Sequence, residues 1–152
     1  MLQNNAAKIY SVDACYGELA WKLRNDPRVV VMERTNILHL ESLPEEAEDP
    51  ESSRRVDLIT IDAGWTKLEL VLPVVKNFLK PGGQIIALLK PHYEAQQPQL
   101  KKGILMAEYI DQVVQRVRDK IHDLGFKILK QMESPILGGA GNKEFFLLIK
   151  TP

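Results

Sequence analysis

One stretch restricts the fold more than any other in this 152-residue chain: Leu79-Lys80-Pro81-Gly82-Gly83, then Gln84-Ile85-Ile86-Ala87-Leu88-Leu89, then Lys90-Pro91. A helical pattern precedes it. A tight Pro-Gly-Gly turn then leads into an apolar run of strand length. A charged side chain follows directly on the apolar run, at the carboxyl end of the strand. Helix, turn, buried strand and terminal charge together describe an open α/β sheet, in which ligands bind outside the carboxyl ends of the strands.

The rest of the chain repeats that logic. Lys8 to Asp13 reads as a short strand ending in an acid, and Gly17 to Arg24 as a helix with Leu19, Ala20 and Leu23 on one face. Arg28 to Glu33 is β-branched and reads as a second strand. Glu41 to Arg55, rich in Pro, Glu and Ser, reads as a solvated acidic loop. Val56 to Asp62 is the clearest central strand and again ends in a carboxylate. Thr66-Lys67-Leu68-Glu69 has capping-box spacing, and Leu68, Leu72, Val75 and Leu79 mark one face of the helix it would open, with a kink expected at Pro73. Glu94 to Lys102 reads as a polar connection. Ile110, Val113, Val114, Val117, Ile121 and Leu124 predict a helix that Gly125 stops. Two final strands, Phe126 to Gln131 and Phe145 to Ile149, flank the loop Ser134 to Asn142.

Strands alternating with helices predict a mostly parallel sheet covered on both faces. The last two strands have no helix between them and should form an antiparallel hairpin at one edge. The expected architecture is thus α/β and Rossmann-like, over a single domain spanning residues 1–152.

Composition narrows the function classes. Twenty basic residues balance twenty acidic ones, so the whole chain carries no electrostatic footprint for nucleic acid, and any phosphate grip must be a local patch. No apolar run reaches membrane-spanning length, and the first eight residues lack the pattern of a secretory signal. A single cysteine, Cys15, excludes an internal disulfide. A cytoplasmic protein with no membrane partner is the expectation. No Cys/His spacing supports a metal site.

Asp13, Asp62 and Lys90 would project from strand carboxyl ends toward one rim. Glu144 opens a strand that runs the opposite way, so its start belongs to the same rim. One lysine with nearby carboxylates is a credible proton-handling cluster. The lysine can act as a base only where burial or its neighbours lower its pKa, and adjacent carboxylates favour its charged form. The competing reading is that each is a solvated boundary charge. Cys15 reads as a small filler rather than a nucleophile, and His92 as a solvated loop residue that could otherwise touch substrate beside Lys90. Lys101-Lys102 and Arg116, Arg118 and Lys120 could meet phosphate, or simply form a charged face.

Tyr10-Ser11-Val12-Asp13-Ala14-Cys15-Tyr16-Gly17-Glu18-Leu19-Ala20-Trp21-Lys22-Leu23-Arg24 resembles the segment that follows the glycine-rich loop in the hemolysin A (TlyA-type) ribosomal RNA 2′-O-methyltransferases. Glu33-Arg34-Thr35-Asn36, Thr60-Ile61-Asp62, Lys90-Pro91-His92-Tyr93-Glu94-Ala95, Ser134-Pro135-Ile136 and Gly141-Asn142-Lys143-Glu144-Phe145 extend the resemblance nearly end to end. The family is FtsJ-like and uses S-adenosylmethionine with a Lys-Asp-Lys-Glu tetrad. The resemblance implies that Asp62, Lys90 and Glu144 are three tetrad members, and that Asp13, Asn36 and Asp62 border the cofactor, Asp13 at its ribose and Asn36 near its adenine. The implied partner is ribosomal RNA, and the implied reaction is direct methyl transfer to a ribose 2′-hydroxyl.

The pattern also departs from the family. Asp62-Ala63-Gly64-Trp65 stands where Asp-Val-Ser-Phe is closer to usual, and no G-x-G motif after a strand occurs. The resemblance implies that the family's S4-like RNA-binding domain, first strand, glycine-rich loop and first tetrad lysine precede the point where Met1 stands. An N-terminally truncated domain of this kind would expose strand edges, which invite association. A homo-oligomer or a rearranged sheet is therefore expected. The alternative to an enzyme is a non-catalytic methyltransferase-fold remnant that binds another chain.

Overall fold

The structure, a computed structural model, describes residues 1–44 and 55–151. The central part of the expected acidic loop lies outside the described residues. The chain divides into two compact units, Met1–Arg54 and Arg55–Pro152.

The first unit is built on two parallel strands, β1 (Ile9–Val12) and β2 (Val29–Met32), in the register Ile9↔Val29 to Val12↔Met32. The helix expected from Gly17 is much shorter: α1 spans only Trp21–Arg24. The physical reason is Glu33, just past β2. Its carboxylate accepts the Gly17 N–H at 2.9 Å and pairs with Arg24, so residues 17–20 are held in a bent, irregular path. Arg24 holds the Glu33 carboxyl below its usual range.

The second unit holds a four-stranded sheet in the order β3-β4-β8-β7, with β3 Val56–Ile61, β4 Leu79–Leu89, β7 Lys127–Glu133 and β8 Phe145–Lys150. β3 and β4 are parallel; β8 is antiparallel to both β4 and β7. The expected mixed sheet with a closing antiparallel hairpin is therefore present. Pro81-Gly82-Gly83 does not form a separate turn. It is a bulge within β4: Val56 pairs with Leu79, while Leu58 pairs with Gln84. Gly82 has φ +80°, and a Cβ on Gly83 would sit 2.9 Å from the Asp57 carbonyl oxygen and 2.7 Å from Leu79, so only glycine fits the close approach there.

One sheet face carries Ile61, Ile85, Ala87, Leu89, Leu147 and Ile149, all buried. The core is completed by α2 (Leu68–Val75) through Leu68, Val71, Leu72 and Val75, and by α4 (Ile110–Asp123) through Val113, Val114, Val117 and Ile121. α4 packs against α2 and β7. Gly125, at φ +84°, ends α4 as expected, with the Phe126 N–H bonded to the Ile121 carbonyl. On the other sheet face Ile86, Leu88, Phe146 and Leu148 are half-buried and Leu58 is exposed.

The connection after Lys90 is more structured than expected. It contains the short helix α3 (Pro91–Glu94) and a hairpin of β5 (Leu100–Lys101) and β6 (Ile104–Leu105). Lys102 and Gly103 turn the hairpin with φ of 53° and 79°. α3 also supplies the cap that sequence spacing misassigned. α2 starts at Leu68 after Lys67, which makes no side-chain cap, so neither Thr66 nor Glu69 forms the expected box. The Glu94 carboxylate accepts the Leu68 N–H at 2.9 Å instead. Burial raises the Glu94 pKa above its ordinary value.

Glu94→Ala should lower stability by about 1–2 kcal/mol, the usual worth of a helix cap. Glu94→Gln, which keeps an acceptor oxygen, should lose less. Urea unfolding of the two variants checks this, and an Ala variant as stable as the parent would refute the capping role.

Candidate functional site

In the second unit the carboxyl ends of β3 and β4 place Asp62 and Lys90 side by side. The Lys90 Nζ lies 2.6 Å from the Asp62 Oδ1, with the lysine side chain largely covered (19% exposed) and the aspartate open (69%). A pair this exposed contributes little stability, roughly 0.2–1 kcal/mol. Its effect is to aim the ammonium group.

Glu144 arrives from the opposite direction. Leu89 pairs with Phe145 across the antiparallel β4–β8 ladder, so continuing the register sets Lys90 against Glu144. Glu144 is buried, at 7% exposure, under the loop that joins β7 to β8. Among the described residues it makes no ion pair with Lys90. A Cβ added to Gly138 would collide with the Glu144 carboxyl group, so Gly138 is the residue that lets the loop lie on this side chain. Asn142 clamps the loop: its Oδ1 accepts the Leu105 N–H at 2.9 Å, and its Nδ2 donates to the carbonyls of Gly139 and Gly103. The loop from Ser134 to Asn142 thus shapes the surroundings of a candidate site residue.

A group of three aromatic rings meets Lys90 through Tyr93. Tyr93 has its ring centroid 5.9 Å from the Lys90 Nζ, 4.8 Å from the Trp65 ring and 4.1 Å from the His92 ring. Trp65 is 84% exposed and has φ 64°, a conformation bulky side chains avoid. His92 is not a solvated loop residue. It is half-buried, and burial followed by the Lys90 charge moves its pKa below the ordinary 6.5.

In the first unit the loops after β1 and β2 are zipped together. The Thr35 N–H donates to the Asp13 carbonyl at 2.9 Å and the Arg34 N–H to the Cys15 carbonyl. Asp13 and Asn36 therefore stand on adjacent loops at the carboxyl end of this ladder, both exposed. The Asp13 Oδ1 accepts the Cys15 N–H at 2.7 Å, and the Asn36 Oδ1 accepts the Leu38 N–H at 3.0 Å. Cys15 is exposed, so it fills no core. The Asp13 charge raises its thiol pKa, which disfavours a nucleophilic role.

The basic residues of α4 are engaged within the protein. Arg116 donates to the Glu94 carbonyl at 2.8 Å, Arg118 to the Gln131 side chain at 2.8 Å, and Lys120 pairs with Glu69. They are a charged helix face. Lys101 and Lys102, at the hairpin turn, are exposed. Among the described residues no group of three or more His, Cys, Asp or Glu side chains could hold a metal ion, and no helix is long and apolar enough to cross a membrane.

Sequence reasoning expected Asp62, Lys90 and Glu144 at one edge of the sheet, and the strand register brings them to it. That reasoning missed the dependence of Glu144 on Gly138 and Asn142, and the stacked ring group. The left-handed backbone at Trp65 leaves no sequence signal beyond the neighbouring Gly64.

The family model for FtsJ-like methyltransferases matches residues 1–151. YqxC of Bacillus subtilis (strain 168) is 40% identical over 153 residues, covering 99% of this chain and 52% of that protein. The 16S/23S rRNA (cytidine-2'-O)-methyltransferase TlyA of Mycobacterium tuberculosis is 35% identical, covering 99% of this chain and 54% of its own length. A solved structure from Streptococcus thermophilus that bears the name hemolysin superposes with a TM-score of 0.85 at 38% identity, over 99% of this chain and 54% of that one. The chain spans about half the length of the curated relatives it matches. It belongs to the FtsJ-like methyltransferase family.

Proposed function

We propose that this chain carries the methyl-transfer site of an S-adenosylmethionine-dependent enzyme that modifies a ribose 2′-hydroxyl of ribosomal RNA. The observation that carries the reading is the Lys90–Asp62 pair at 2.6 Å, with Glu144 set opposite Lys90 by strand register. TlyA, named for cytidine-2'-O methylation of rRNA, supports the choice of acceptor. The 2′-hydroxyl is also the group by which a protein tells RNA from DNA.

In this reading Lys90 steers the proton of the 2′-hydroxyl or, as the neutral amine, takes it, Asp62 holds the ammonium that results, and Glu144 is the second carboxylate holding the acceptor ribose. S-adenosylmethionine, when bound, supplies an already activated methyl group, so the protein's main contribution is alignment. The donor set of the first unit fits that cofactor: an exposed carboxylate with one oxygen fixed by a backbone N–H suits a ribose diol, and an exposed carboxamide suits an adenine edge. Asp13 and Asn36 fill these roles.

The match of a single family model over residues 1–151 supports reading the chain as one domain. β3 has a sheet neighbour only in β4, and β1 only in β2, among the described residues. β3 thus has one edge with no strand partner among the described residues, which supports association into a homo-oligomer. An rRNA substrate supports a cytoplasmic location.

Lys90→Met should cut transfer of labelled methyl to ribosomal RNA by at least about 100-fold while leaving cofactor binding unchanged; a variant with parental activity refutes the role of Lys90. Calorimetry with S-adenosylmethionine should show binding, weakened roughly 10- to 100-fold by Asp13→Ala, as loss of a charged hydrogen bond would give. No heat with the parent protein would favour a non-catalytic, protein-binding role. Sedimentation should find a dimer or larger species, and a monomer at all concentrations would refute association through the edges.

A further inference from the structure

His92 sits two residues beyond Lys90, on α3, and its Nδ1 is buried with no hydrogen-bond partner. A neutral imidazole carries one hydrogen and must place it on one of two nitrogens. On Nδ1 it would be a buried donor without an acceptor, a rare and costly arrangement. The hydrogen therefore belongs on Nε2, the nitrogen that is left to face outward from this half-buried side chain. The ring is held in place by Tyr93, at 4.1 Å between centroids, and Tyr93 is held in turn by Trp65. The charges nearby are Lys90, which opposes a second positive charge on the imidazole, and Asp62, which is paired with Lys90.

We infer that His92 is a substrate-binding residue: its outward Nε2–H is a fixed, uncharged donor beside Lys90 for an acceptor oxygen of the RNA ribose-phosphate chain. This rests on the RNA reading of the Lys90 site. A neutral donor suits the place because it can grip an oxygen next to the lysine without adding a charge that would repel the ammonium group. Nothing in the sequence distinguishes this from a solvated histidine; the orphaned Nδ1 does.

The test is a long-range proton–nitrogen NMR spectrum of the whole chain at neutral to mildly alkaline pH, free and with a single-stranded RNA oligonucleotide or its DNA counterpart. Free His92 should be the Nε2–H tautomer, and RNA should shift its Nε2 together with the Trp65 indole. His92→Phe, which keeps a ring but no donor, should weaken RNA binding roughly 2- to 10-fold, the worth of one hydrogen bond. His92→Gln, which keeps a donor, should restore most of it. An Nδ1–H tautomer or a mixture overturns the inference, as does RNA that shifts Trp65 but not His92. Equal shifts with DNA would place the contact at phosphate, and RNA-only shifts at the ribose hydroxyl; both support it. An RNA that shifts nothing overturns the RNA reading and the contact with it, whereas the tautomer of the free protein is decided separately.

Discussion

The pairing of β4 with two different neighbours is the constraint on which the site depends. On one side β3 runs parallel to it, so two strands deliver their carboxyl ends, and with them Asp62 and Lys90, to the same edge. On the other side β8 runs antiparallel, so it is the start of that strand, and with it Glu144, that arrives there. Side chains alternate along a strand, and a slip of one residue would turn each of these groups to the opposite face. The buried run Ile85, Ala87, Leu89 against Leu147 and Ile149 makes such a slip costly, because it would expose the core. Hydrophobic burial thus sets the positions of the polar groups.

Local backbone demands refine what the register sets. The Pro81-Gly82-Gly83 bulge takes up three extra residues on β4 without disturbing the pairing from Gln84 onward. Gly138 lies where any side chain would displace Glu144, and Asn142 ties that loop to the β5–β6 hairpin. Trp65 is held with a positive φ and an exposed ring against Tyr93. Gly138 and Trp65 lie at the edge that carries Asp62 and Lys90, whereas the Pro81-Gly82-Gly83 bulge lies toward the opposite end of β4.

Much of this was legible beforehand. The strands around Ile61, Leu89 and Phe145 announce themselves by apolar runs bounded by turn residues, and α4 by its 3.6-residue period ending at Gly125. What failed were features made by contacts distant in sequence. The spacing Thr66 to Glu69 is a valid local cap signal, yet Glu94, 26 residues away from Leu68, takes the position. Helical spacing after Gly17 was overridden by Glu33, which binds Gly17 and Arg24 across 16 and 9 residues. Two readings stood open for Arg116 and Arg118, a phosphate contact or a charged helix face, and their partners, the Glu94 carbonyl and Gln131, belong to other elements.

The sequence by itself determined the alternation of strands and helices and which residues end each strand, since both are written in local periodicity and turn chemistry. It therefore determined that Asp62, Lys90 and Glu144 would come to one edge of the sheet. Only the tertiary structure decided that Lys90 is paired with Asp62 rather than with Glu144, that Gly138 closes over Glu144, and that the Nδ1 of His92 is buried without a partner. Those outcomes depend on distances between segments far apart in the chain, which are settled by packing and strand register rather than by any local run of residues.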